Sequence, residues 1–361
     1  MPHDLDIIWY TRCPVPTASG IAIHNGWLEQ EFESDGISVL SLCASPDQSV
    51  RESHFDHRQG DSFRHGGNAP PIWSRSEGND VVVVGLTWLP QYQSLLTLPD
   101  SGIRSPADLK GRRLALPRRT HEKIDFWRAS ALQGYAQVLA SVGLTLDDVT
   151  LVDLPIDQPY IGKVAASNTG ALFDAHQFAS SARAETFALI RGEADVLYNY
   201  GAAGPALQEF LGAHVVADIN HHPDRRVSIN NGTPNVLSVS GRLVREYPEF
   251  VARYLCQVLR AAQWARANRA ATQAIIAREV SVAYEWVPEA FDDTVYQNLE
   301  PSLAPELVRA LEVRKDFLYE HGFIRNDFSI ADWIVPGPLA RARELLQERS
   351  LAEAGGTQVE A

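Results

Sequence analysis

An α/β fold of about two domains is predicted from three observations. The chain has 361 residues, against a prior of about 150 per domain. Short apolar runs alternate with helix-period segments over most of the length, the pattern of sheets covered by helices. From Val244 onward that alternation gives way to helix alone.

The strands come first. Ile7–Tyr10, Ile37–Cys43, Val81–Leu86 and Arg113–Leu116 are short apolar runs closed off by Gly, Pro, Asp or Asn. Val149–Leu154, Val196–Tyr198, Val215–Ile219 and Val236–Val239 follow the same rule. Between them, Gly20–Glu33, Phe126–Val142, Phe178–Arg191 and Gly204–Leu211 carry apolar residues three and four apart, as one face of a helix requires. Arg245–Asn268, Ala271–Glu279, Pro288–Glu300 and Pro305–Gly322 form a C-terminal helical block, and Leu351–Ala361 is expected to fray. Ala44 to Asp80 breaks the rhythm with 37 polar, Gly- and Pro-containing residues. A connection that long is expected to be a functional loop.

Composition excludes several functions. Lys and Arg number 32 against 45 Asp and Glu, a net charge of −13, so phosphate backbones are repelled and nucleic acid is not a partner. Hydrophobic content of 45% with 21% charged residues is that of a globular chain. Cys13, Cys43 and Cys256 are odd in number and widely spaced, which fits neither a disulfide framework nor a zinc site. The N-terminal residues are acidic where a leader needs basic ones. Apolar runs also fall far short of the ~20 residues a membrane span needs. The expectation is a soluble, cytoplasmic monomer with no membrane contact.

Three features offer chemistry. Cys13 stands in Cys-Pro-Val-Pro between the first strand and the first helix, beside Arg12. A helix N-terminus and a cation both favour thiolate, although a small hydrophobe at a strand end is the plainer account. Ser53-His54-Phe55 is followed, ten residues after the histidine, by Arg64-His65-Gly66-Gly67. Imidazole can shuttle a proton, guanidinium matches an oxyanion, and paired glycines let backbone N–H groups approach a ligand. His57 and His65 are expected to be exposed loop residues. Trp127 and Phe173 are aromatic candidates for walls around a flat ligand, with core packing as the alternative. Nucleotide, flavin and zinc motifs are absent from the sequence, so no cofactor and no metal are expected.

The order of certain segments is similar to that of solute-binding proteins of the nitrate, sulfonate and thiamine-precursor type. Ser105 to Ala115, reading SPADLKGRRLA, resembles the opening of their second lobe. Leu189 to Val196, and Tyr247-Pro248-Glu249-Phe250-Val251 leading to Trp264, resemble later landmarks. The resemblance implies a two-lobed periplasmic-binding-protein-like type II fold with the C-terminal helical block on the first lobe. Residues 1–97 would form lobe 1, 98–218 lobe 2 and 219–361 the return to lobe 1, with a ligand held in the cleft.

A narrower resemblance rests on Cys13-Pro14-Val15-Pro16, His54-Phe55, Arg64, Gly66-Gly67 and Pro70-Pro71. These closely resemble the 2'-hydroxybiphenyl-2-sulfinate desulfinase family, which cleaves an aryl C–S bond to release sulfite without a cofactor. Arg12 departs from the family, which has a small amide there. The resemblance implies Cys13, His54 and Arg64 as catalytic residues. It places Gly66, Gly67, Phe55, Trp127 and Phe173 around a small aromatic sulfinate, with the segment at His54 ordering on binding. Cys13 is either the acid that protonates the ring or the nucleophile that attacks sulfur. A non-catalytic binding protein for a small anion or heteroaromatic, and an aromatic decarboxylase on the same scaffold, are the competing functions.

Overall fold

Two five-stranded sheets organise the computed structural model, which describes residues 4–157, 159–161 and 183–356. The strands of the first half are β1 (Ile7–Arg12), β2 (Ser38–Ser41), β3 (Ser62–Gly66), β4 (Val81–Thr87) and β5 (Gln93–Thr97). Those of the second are β6 (Arg113–Arg119), β7 (Thr150–Ile156), β8 (Val196–Tyr200), β9 (His214–Asp218) and β10 (Asn235–Ser240). The first sheet has the order β2-β1-β3-β10-β4 and the second β7-β6-β8-β5-β9.

Each sheet has a parallel part and one interior strand of opposite sense. In the first, β1 runs parallel to β2 and β3, while β10 is antiparallel to β3 and β4. In the second, β6 runs parallel to β7 and β8, while β5 is antiparallel to β8 and β9. The α/β class and the two-lobed arrangement expected from the sequence are therefore present. The division after residue 97 needs correction, because β5 belongs to the second sheet and the chain crosses at residues 88–92. Only Leu95 and Leu96 are aliphatic in Gln-Ser-Leu-Leu-Thr, too faint a run to read as a strand.

The expected loop from Ala44 to Asp80 is instead helix, strand and helix. The helix expected over Gly20–Glu33 is two, α1 (Ala18–His24) and α2 (Trp27–Glu33), broken where Gly26 takes φ 69°. Next along the chain is α3 (Gln48–Asp56), whose first turn is capped by Asp47 accepting from Ser49 N–H at 2.8 Å. It ends at His57 with φ 54°. Then come β3 and α4 (Ala69–Ser76), the latter with proline in its first turn, where a missing N–H costs nothing. His65 is 2% exposed within β3, its Nδ1 paired with Ser19 Oγ at 2.8 Å, and His57 is half-buried, so neither is an exposed loop histidine. Polar residues here are buried rather than solvated because their partners lie far away in sequence.

Most of the C-terminal helices lie on the first sheet, while Pro305–Glu320 also reaches the helix Phe126–Ala140, Arg314 Nη1 donating to Ala129 C=O at 3.4 Å. Leu255 and Ala262 of Pro248–Ala267, with Leu339 and Ala342 of Gly337–Gly356, share one core with Ile8, Phe63 and Leu237. Phe63 stacks on Tyr254 with ring centroids 3.7 Å apart. Burying one such ring contributes about 1.5–3 kcal/mol. The helix expected over Pro288–Glu300 covers only Trp286–Phe291, ending where Asp292 takes φ 73°. The segment expected to fray continues the helix Gly337–Gly356 as far as Gly356. Among the described residues no helix is long and apolar enough to cross a membrane.

Candidate active site

Open α/β sheets bind ligands beyond the carboxyl ends of their parallel strands, where neighbouring strands lie to either side. β1, flanked by β2 and β3, is such a place in the first sheet. Cys13 follows β1 directly and Gly67 follows β3. The Cys13 N–H donates to His65 C=O at 3.1 Å, and its own C=O accepts from Val15 N–H at 2.8 Å, closing a tight turn over Pro14. The thiol is thus carried on a fixed piece of backbone.

Arg64 and His54 converge on that sulfur. Arg64 Nη2 donates to Cys13 Sγ at 3.2 Å, Nε to His54 C=O at 2.9 Å and Nη1 to Gly67 C=O at 2.6 Å. Three of the five guanidinium N–H groups are used among the described residues, leaving two. His54 Nε2 lies 3.6 Å from Sγ, and its Nδ1 pairs with the Thr11 hydroxyl at 2.9 Å. Gly66 is required by space: a Cβ there would sit 2.5 Å from the Cys13 sulfur. A Cβ on Gly67 would collide with the Asn231 amide. The Gly67 N–H has no partner among the described residues.

Burial sets the protonation of the site. It drives His54 well below the ordinary imidazole value, helped by the Arg64 charge and then His57. His57 and His65 are each lowered to about 3, by burial and then by Arg64. Burial also lowers Arg64 from its usual value, with Cys13 opposing. His54 is therefore neutral near pH 7, with one ring nitrogen a donor and the other an acceptor. If Thr11 donates to Nδ1, Nε2–H points at sulfur; in the other tautomer Nε2 can take the thiol proton.

A cavity of about 60 Å³ opens over this group, lined at one part by Cys13, His54, Arg64 and Gly67. Phe55, Phe126 and Tyr200 supply aromatic wall, and Val280 and Val282 close another side. That last side is tied to β1, because Arg12 pairs with Glu279 at 2.8 Å. Phe55 stacks against Phe126 at 6.3 Å and Tyr160 at 6.0 Å. The two crossings between the sheets contribute Gln91 from one and Asn231 and Gly232 from the other.

The structure brings Cys13, His54, Arg64 and Gly67 together, with Gly66 against the thiol and Phe55 in the wall. Trp127 corrects an expectation. It lies one layer back, donating from Nε1 to Glu185 at 3.0 Å and packing on Tyr200 at 4.5 Å, while its neighbour Phe126 lines the cavity. Phe173 lies outside the described residues. The segment bearing His54 is helix α3, not a loop awaiting a ligand. Phe126, Tyr200, Gln91 and Asn231 were missed. A signal existed for the last, since Asn230-Asn231-Gly232-Thr233-Pro234 is a dense turn-forming cluster before a strand. Among the described residues no three His, Cys, Asp or Glu side chains are grouped to hold a metal.

Comparison with known proteins bears on this geometry. The chain is 28% identical over 356 residues to 2'-hydroxybiphenyl-2-sulfinate desulfinase of Rhodococcus erythropolis, covering 92% of both chains. It superposes on the desulfurization enzyme DszB with a TM-score of 0.72 and 27% identity, covering 94% of this chain and 99% of that one. The periplasmic aliphatic sulphonate binding protein SsuA from Escherichia coli has the same fold, with a TM-score of 0.65, 17% identity and coverage of 91% and 92%. The model of the family described as NMT1/THI5 like matches residues 71–271, more than half of the sequence, and the chain belongs to that family.

Proposed function

We propose that the protein is an aryl-sulfinate desulfinase, a C–S bond hydrolase that works without a cofactor. The observation that most supports this reading is the Cys13 sulfur, 3.2 Å from a guanidinium and 3.6 Å from a neutral imidazole at the edge of an aromatic-lined cavity. The likeness to 2'-hydroxybiphenyl-2-sulfinate desulfinase over most of the chain supports it further.

The overall reaction converts an aryl sulfinate and water into the arene and bisulfite. A net charge of −13 gives an anion no long-range attraction, so capture depends on local donors. The two unused Arg64 N–H groups and the Gly67 N–H fill that need. Cys13 then gives its proton to the ring carbon bearing sulfur. The C–S bond breaks with its electron pair returning to the ring, and sulfur dioxide departs. Water adds to it, giving bisulfite and a proton that His54 returns to the Cys13 sulfur. Arg64 steadies the thiolate in between. Attack of thiolate on the sulfinate sulfur would bring two anions together, a repulsion the protonation route avoids. Phe55 and Phe126 hold the ring and keep water away until the bond has broken.

The test is sulfite release from a panel of aryl sulfinates by the purified protein. Stoichiometric sulfite and arene are expected. Tight binding with no turnover of any member would instead favour a solute-binding role, and release of carbon dioxide from the matching aryl carboxylates would favour a decarboxylase.

A further inference from the structure

One buried cation has no part in the chemistry above. Arg314, on the helix Pro305–Glu320, is 0% exposed. Its Nη1 donates to Ala129 C=O at 3.4 Å and to Gln133 Oε1, and its Nη2 to Ser130 Oγ at 3.4 Å, while Nε has no partner. All three acceptors are neutral. Among the described residues Arg314 forms no ion pair, in a protein whose net charge is −13. Burial pulls it down to about 10, with only the phenols of Tyr198 and Tyr200 opposing, so it stays charged near pH 7. Charges inside folded proteins are normally paired. A buried guanidinium with no carboxylate points to a counter-ion that arrives with a ligand.

The cavity is where that anion would sit. Ser130, which accepts from Arg314, lies one helical turn after Phe126 and donates to its C=O at 2.8 Å. Phe126 lines the cavity, as does Tyr200, whose phenol feels the charges of both Arg314 and Cys13. Arg314 thus stands behind the aromatic wall, and Arg64 stands in the lining beside the thiol. Among the described residues the lining holds no Asp or Glu, and neither guanidinium is paired with one. An acidic protein has therefore placed two uncompensated cations around one cavity, where burial shields them from salt.

We propose that Arg314 is a charge-selecting residue, whose uncompensated guanidinium behind the aromatic wall makes the cavity favour an anionic arene over a neutral one of the same shape. This rests on the desulfinase reading for the identity of the anion, and gives the sulfinate a second cation besides Arg64. One negative charge is present throughout that reaction, on the sulfinate before proton transfer and on Cys13 after it. A cation set back from both atoms holds the two states nearly alike. Arg314 should therefore act on KM and leave kcat little changed.

Gln133→Glu tests this with the packing kept, because the new carboxylate retains the hydrogen bond to Arg314 Nη1 and cancels its charge. Arg314→Met removes the charge outright. A unit charge roughly 10 Å away, at an effective dielectric near 20, changes an anion's affinity on the order of 10-fold. Each variant should raise KM for biphenyl-2-sulfinate by about that factor, with kcat little changed. A second readout needs no turnover: the rate at which iodoacetate, an anion, alkylates Cys13, divided by the rate for neutral iodoacetamide. The division removes any change in thiolate fraction, which both reagents share. In the unaltered protein this ratio should exceed that of free cysteine, and in each variant it should fall about 10-fold. A ratio no higher than that of free cysteine, a ratio that Gln133→Glu leaves unchanged, or a Cys13 that neither reagent reaches overturns the proposal. So does a fall in kcat with KM unchanged. If the ratio falls as expected but no sulfinate releases sulfite, the desulfinase reading fails and the charge selection stands.

Discussion

Arg64 reaches the sulfur of Cys13, 51 residues away in sequence, while the same guanidinium holds the main-chain carbonyl of His54. One side chain therefore sets the spacing between thiol and imidazole. That makes the three residues a unit whose members should fail in different ways.

Cys13→Ser should fold normally and lower sulfite release by at least about 10²-fold, the smaller end of what a positioned acid–base group contributes. Near-normal turnover would remove the thiol from the chemistry. Iodoacetamide should label Cys13 before Cys43 and Cys256, which are 2% and 1% exposed against 9% for Cys13, and an aryl sulfinate should protect it. Peptide mapping by mass spectrometry reads the order.

Arg64→Lys keeps a cation but loses the fork. The carbonyls of His54 and Gly67 would be left short of a donor, at about 1–3 kcal/mol for each buried group left unpaired. A lower melting temperature and a drop in kcat greater than the rise in KM are expected, since the thiol and imidazole lose their common support. A rise in KM alone would restrict Arg64 to holding the anion.

Acid should destabilise the fold in a defined window. His54, His57 and His65 have folded-state values below the ordinary 6.5, so the unfolded chain binds three more protons as pH falls through that value. Glu185, raised by burial to about 7, works the other way, because the folded chain keeps its proton. From pH 6.5 to 5.5 these four groups together should cost about 2 kcal/mol of stability. Urea melts at the two pH values measure it. His65→Asn should flatten the dependence and Glu185→Gln steepen it; identical slopes in all three proteins would show that other groups control acid unfolding.

Lys123 connects the second sheet to the helix bearing His54. Its Nζ lies 2.5 Å from Asp56 and 3.5 Å from Glu52, both on α3, while Lys123 itself follows β6. Lys123→Met should raise KM about 2–5-fold with kcat little changed, the scale of a partly exposed ion pair. The same shift should appear in the unaltered protein as salt rises. A KM indifferent to both would mean that the bridge does not govern access to the cavity.

What could be read from sequence divides along a physical line. Val81–Thr87 announces itself because both of its faces are covered, giving a nearly unbroken apolar run. β3 does not, because Arg64 and His65 look like surface residues until Gly67, Cys13 and Ser19 are brought to them. At the site, the Cys-Pro-Val-Pro turn and the His-to-Arg spacing were legible because they resemble a known pattern. Gln91 has no such mark, and the cluster around Asn231 marks only a turn. They matter only because both crossings pass the same cavity, and nothing local in a chain records which distant turn it will face.

The path of the chain carries a consequence for biosynthesis. Residues 93–218 hold every described strand of the second sheet in one stretch, whereas the first sheet cannot be completed until β10 arrives between β3 and β4. A ribosome emits Cys13 227 residues ahead of Ser240. The half that emerges first is thus the half finished last, with its nascent thiol and unfilled strand gap waiting on a lobe inserted into its middle.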